Sequence, residues 1–143
     1  MKYIILFLIA FCFFSCGTTE EKEYVYTVVL TNETGEILEI ASDGEKTILN
    51  NNESYTNKFA SGLRRPTWPG GSLQIKIGDT NRGYQCGFIM EHTQQSFCFI
   101  PFEEFNNLSK SNVFMEIEPY VYELVMRPEF LDGAYDLPEI EGL

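Results

Sequence analysis

From Tyr24 to Met126 apolar residues recur at every second position in short runs, and each run ends at turn-forming residues. A period of two belongs to a strand with one face inward, whereas a helix needs apolar residues three and four apart. In the first run Tyr24, Tyr26, Val28 and Leu30 share one face, and Val25, Thr27, Val29 and Thr31 share the other. Asn32 to Glu36 reads as a turn, with Ile37 to Ala41 as its returning strand, and Asp43-Gly44 marks the next reversal. Thr47 to Leu49 and Ser54 to Phe59 are further short strands. Leu73, Ile75 and Ile77 alternate cleanly with Gln74 and Lys76.

Later runs continue the pattern. Val113, Met115 and Ile117 alternate, and after Pro119 so do Tyr120, Tyr122, Leu124 and Met126. The last run carries only Glu123 among the charged residues, as a largely buried strand would. Phe102, Phe105 and Leu108 fall three apart, which predicts one short helical turn. Many short strands joined by turns predict an all-β fold, an antiparallel β-sandwich of the immunoglobulin-like or a related type. The domain is expected over residues 23–127. Residues 128–143 hold five acids and no base, and read as an acidic tail, with Phe130 or Tyr135 as the residue through which it could dock.

Arg82 to Ile89 and Ser96 to Phe102 are expected to pair as a hairpin around His92. Cys86 and Cys98 each lie six residues from that centre and so stand opposite each other. Opposed strand positions have Cβ atoms about 4.5–5.5 Å apart, near the spacing a disulfide needs. A metal pair is the weaker reading, since the chain has no CxxC spacing and His92 is its only histidine.

The N-terminus constrains location. Lys2 precedes an apolar run, Tyr3 to Phe14, of 12 residues, followed by Ser15-Cys16-Gly17. A membrane-spanning helix needs about 20 apolar residues, so the run has the length of a secretory signal peptide. Phe13-Phe14-Ser15-Cys16 resembles a bacterial lipobox, departing from the usual pattern at Phe13 and Phe14. That resemblance implies a signal peptide over residues 1–15, a diacylglyceryl thioether on Cys16, and cleavage that leaves Cys16 as residue one. Gly17-Thr18-Thr19-Glu20-Glu21-Lys22-Glu23 then forms a polar tether over residues 16–22 and into Glu23. It resembles the acidic export signal of surface lipoproteins of Bacteroidota, which implies an outer-membrane anchor facing outward, the alternative being periplasm-facing. Export to an oxidising compartment favours a Cys86–Cys98 disulfide.

Charge excludes one partner class. All 21 acids but only nine of the ten bases follow residue 15, so the mature chain is still more acidic than the whole, at −11. Nucleic acid requires a basic stripe, so it is not an expected partner. Acidity of this kind keeps a surface protein in solution.

Candidate sites are few. Arg64, Arg65 and Trp68 gather two bases and the only tryptophan in one loop, and form the candidate binding surface. The competing reading puts Trp68 in the core. Glu103 and Glu104 are adjacent and so point apart, which suits a solvated turn better than an acid/base pair. His92 lies at an expected hairpin tip, and Ser96 lacks a nucleophile-elbow pattern. Asp43, Asp79 and Asp132 lack EF-hand spacing and read as turn formers; no metal or cofactor is expected. Asn-X-Ser/Thr triplets begin at Asn32, Asn52 and Asn107, and in a bacterial host these are idle. The expected function is non-enzymatic: a lipid-anchored envelope β-sandwich with a binding or assembly role. Its partners are the membrane, through the anchor, and an envelope protein or glycan. A carbohydrate-binding accessory module using Trp68 is the alternative.

Overall fold

A computed structural model describes residues 23–42, 44–62, 68, 72–87, 98 and 100–137. They form a two-sheet sandwich. One sheet has the order β4-β1-β8-β7, from β1 (Tyr24–Asn32), β4 (Ser54–Ser61), β7 (Met115–Glu118) and β8 (Val121–Met126). The other has the order β3-β2-β5-β6-β9, from β2 (Leu38–Ser42), β3 (Glu45–Leu49), β5 (Ser72–Ile77), β6 (Arg82–Gly87) and β9 (Tyr135–Asp136). All ladders are antiparallel except β1 with β8, where Thr27 lies beside Val121 and Asn32 beside Met126. This order differs from the A-B-E-D and C-F-G sheets of immunoglobulin constant-type domains, so the fold is a related sandwich.

The alternation read from sequence sets the faces. Tyr26, Val28 and Leu30 from β1 meet Leu38 and Ile40 from β2, Leu73 and Ile75 from β5, and Tyr122, Leu124 and Met126 from β8. Each fully buried side chain of this kind contributes about 1.5–3 kcal/mol. The expected helical turn is present as α1 (Phe102–Asn106), followed by a 3₁₀ turn at Leu108–Lys110. Phe105 and Leu108 plug the core from this crossing.

Three expectations change. Cys86 and Cys98 are bonded, with Cα atoms 4.6 Å apart, but they are not ladder partners. Cys86 faces Leu73 in β5, and the free edge of β6 is taken by β9 at Arg82 and Gly83. Cys98 sits in a bend, and the chain enters α1 soon after it. Residues 128–137 are also part of the sandwich rather than a tail. A 3₁₀ turn at Pro128–Leu131 carries the chain from β8 to β9 on the other sheet. It docks through the two residues singled out by their aromaticity. The Phe130 ring lies 4.7 Å from that of Tyr84, and the Tyr135 hydroxyl accepts the Gln85 N–H at 2.8 Å.

The third change concerns β7. Met115 and Ile117 were expected to face inward, yet they are 66% and 49% exposed, while Phe114 is buried. β7 is a four-residue edge strand with a register shift between Glu116 and Glu118. In so short a run the pattern alone does not say which face meets the core.

Candidate functional site

Trp68 is 6% exposed and belongs to the core. Its backbone N–H donates to the Phe105 carbonyl at 3.0 Å, and its ring meets that of Phe105 edge-on at 5.7 Å. Phe105 in turn meets Phe114 at 5.6 Å. The indole therefore ties its loop to α1 and offers no face to a sugar ring. The use of Trp68 as a glycan platform is corrected on that ground. Cys16, Asp43, Arg64, Arg65, His92 and Ser96 lie outside the described residues.

Glu103 and Glu104 do not form a pair. They line a shallow surface depression of about 480 Å³ with Asn107, Lys110 and Asn112. The Glu104 carboxylate accepts the Ser111 hydroxyl at 2.6 Å and the Asn112 N–H at 2.7 Å. Those bonds, the Ser111 one foremost, hold its pKa below the usual carboxylate value. Glu104 is thus a brace for the turn leading to Phe114, poorly suited to exchange protons near neutral pH. Among the described residues no group of three His, Cys, Asp or Glu side chains is placed to hold a metal ion.

Asn32 is fully buried, with every polar atom of its side chain bonded. Its amide nitrogen donates to the carbonyls of Glu36 at 2.8 Å and Leu49 at 3.1 Å. Its amide oxygen accepts the N–H and the hydroxyl of Thr34, at 3.1 and 2.7 Å. The side chain pins the β1–β2 turn to the end of β3. Its burial makes it a poor substrate for any modification of the folded chain.

The feature that packing alone does not account for lies where β1 begins. β7 and β8 are joined by Pro119-Tyr120, and Tyr120 has φ of 67°. Proline followed by a positive φ is the pattern of a type II turn, whose third position normally holds glycine or asparagine. A bulky residue there is an outlier that its surroundings must enforce. Both sides of its backbone are held. The Tyr120 N–H donates to the Glu116 carboxylate at 3.0 Å, and the Thr27 N–H donates to the Tyr120 carbonyl at 2.9 Å.

The ring so placed is 47% exposed. It lies 6.0 Å from Tyr24 and 5.6 Å, edge-on, from Tyr26, which stacks on Phe59 at 5.6 Å. Such separations suit favourable aromatic pairs. Tyr122 lies beneath, its pKa raised first by burial and then by the negative charge of Glu116. Val25, 59% exposed, and Ile117 are on the strands that flank this turn. The result is an aromatic rim at one end of the four-stranded sheet, with Val25 on the opposite face of β1 from Tyr24 and Tyr26.

Sequence reading put Tyr120 on one face of the last strand with Tyr122, Leu124 and Met126, and so missed the turn. The available signal was the dipeptide Pro119-Tyr120 between two alternating runs, which forces a reversal with no glycine to make it. The rim draws on β1, β4 and the β7–β8 turn, which are far apart in sequence, and so no local motif marks it. No family model, no curated protein and no solved structure matches this chain.

Proposed function

We infer that this chain is a lipid-anchored protein of the bacterial cell envelope, whose sandwich has a binding or assembly role rather than a catalytic one. The leader ending at Ser15-Cys16 supports the anchor, and a Cys86–Cys98 bond fits an oxidising compartment. The acidic residues Glu20, Glu21 and Glu23 support an outward-facing outer-membrane location. A multiply acylated cysteine would hold the chain firmly, since each buried methylene contributes about 0.8 kcal/mol.

The observation that carries the binding role is Tyr120, held half-exposed in a backbone conformation that tyrosine avoids. Strain of this kind costs on the order of 1–3 kcal/mol and persists where a side chain's placement is put to use. The surface assigned to binding is therefore the Tyr120 rim, and the Trp68 indole has no part in it. Fractionation of cells expressing the full chain tests the reading. The wild type is expected with the outer membrane and sensitive to protease added to intact cells. Residues 16–143 carrying Cys16→Ser, exported behind a conventional cleavable leader, are expected in the soluble fraction, and equal membrane retention of that chain would refute the anchor.

A further inference from the structure

We propose that the rim around Tyr120 is a bilayer-contact surface, seated among the headgroups of the membrane that holds the chain. This rests on the acylation of Cys16 argued above. Cys16 to Lys22 is seven residues, a reach of about 25 Å at full extension. β1 starts at Tyr24 and its nine residues run about 30 Å to Asn32. The end of the sandwich at Tyr24 is therefore held close to the membrane, while the Asn32 end lies a strand length farther along. The register puts the rim at the held end: Thr27 lies beside Val121, so the Pro119-Tyr120 turn is next to the first residues of β1.

The chemistry at that end suits a lipid interface. Tyrosine has an apolar ring and a polar tip, and is enriched where hydrocarbon meets water. Tyr120 presents such a ring, with the aliphatic side chains of Val25 and Ile117 on the neighbouring strands. The turn is fixed beforehand by Glu116 and Thr27, so little ordering accompanies contact. Charge selects among membranes. Glu116 and Glu118 lie in the flanking strand of a chain of net charge −11, so an anionic surface repels this end and a zwitterionic one does not.

The test uses the acylated mature protein with one nitroxide label, at Ile117→Cys or, at the far end, Asp79→Cys. Cys86 and Cys98 are bonded to each other and Cys16 is acylated, so the new thiol takes the label. Each sample is bound to phosphatidylcholine vesicles and referred to the same label in an unacylated chain of residues 16–143 carrying Cys16→Ser, which also lacks Cys12. Collision of the label at 117 with a water-soluble nickel chelate is expected to fall by roughly threefold or more on the vesicles, with no change at 79. Added phosphatidylglycerol is expected to weaken the protection at low salt. Equal access at both positions, with Cys16 acylation verified by mass, overturns the bilayer contact and leaves the anchor standing. Protection at 117 that arises only when an outer-membrane protein is added overturns it in favour of a protein partner. An unmodified Cys16 removes the anchor and the contact together.

Discussion

The carboxylate of Glu116 accepts the backbone N–H of Tyr120 at 3.0 Å across the turn that joins β7 to β8. With the Thr27 N–H on the Tyr120 carbonyl, it fixes a left-handed tyrosine where glycine would be the easy choice. Two substitutions separate the clamp from the ring. Glu116→Ala is expected to cost about 1 kcal/mol, the worth of an exposed charge-assisted hydrogen bond. Tyr120→Gly is expected to stay within about 1 kcal/mol of wild type, because relief at φ offsets the lost ring contacts. Urea midpoints measure both, and a Tyr120→Gly loss of several kcal/mol would make the ring a core element instead of a displayed one.

Asn32 offers a sharper stability test. Asn32→Asp replaces two donors with acceptors facing the carbonyls of Glu36 and Leu49 inside the core. An uncompensated buried charge of this kind costs about 3–5 kcal/mol. Asn32→Asp is therefore expected to be less stable than Asn32→Ala, which leaves the carbonyls unpaired but uncharged. Equal urea midpoints for the two variants would contradict the bonding described.

Reduction should weaken the fold. The Cys86–Cys98 bond closes a segment of sequence separation 12, which constrains the unfolded chain by about 3 kcal/mol. Dithiothreitol is expected to lower Tm by about 10 °C in the wild type. It should leave Tm unchanged in the Cys86→Ala, Cys98→Ala double variant, which starts at the lower value.

Glu104 gives the acid limb a specific contribution. Its pKa is lowered in the folded state by Ser111 and Asn112, so the stability it supplies is present above the ordinary carboxylate value of 4.5. That stability is lost as pH falls from there through the lower folded value. Glu104→Ala is expected to be less stable than wild type at neutral pH, with the gap closing as the pH falls well below 4.5. A gap independent of pH would assign the effect to packing. At the alkaline end Tyr84, Tyr122 and Tyr135 have raised pKa values, burial being the largest cause for each. Their contribution is present below the ordinary phenol value and lost as pH rises through the folded ones, so these three tyrosines should ionise late in an absorbance titration.

The strands were legible because a period of two survives wherever one face is dry, as at Tyr26, Val28 and Leu30 or at Leu73 and Ile75. The disulfide was legible as a pairing and not as a geometry. Spacing about His92 brought the cysteines together, but residues 88–97 of the expected hairpin lie outside the described residues, and the pairing of β9 with Arg82 and Gly83 is a tertiary event. β9 itself was masked by the acids around it, since charge marks exposure and says nothing of backbone pairing. Trp68 had two readings, and only its contact with Phe105 from a distant helix decides between them. The rim was hidden for a related reason. Tyr24, Phe59 and Tyr120 come from three strands or turns that the sheet brings side by side.

The anchor is tested most directly by the intact mass and N-terminal peptide of the protein purified from its own membrane. The account predicts a chain that begins at Cys16 and carries a thioether-linked diacylglyceryl group. A free thiol at Cys16, or a chain that still retains residues 1–15, would contradict it.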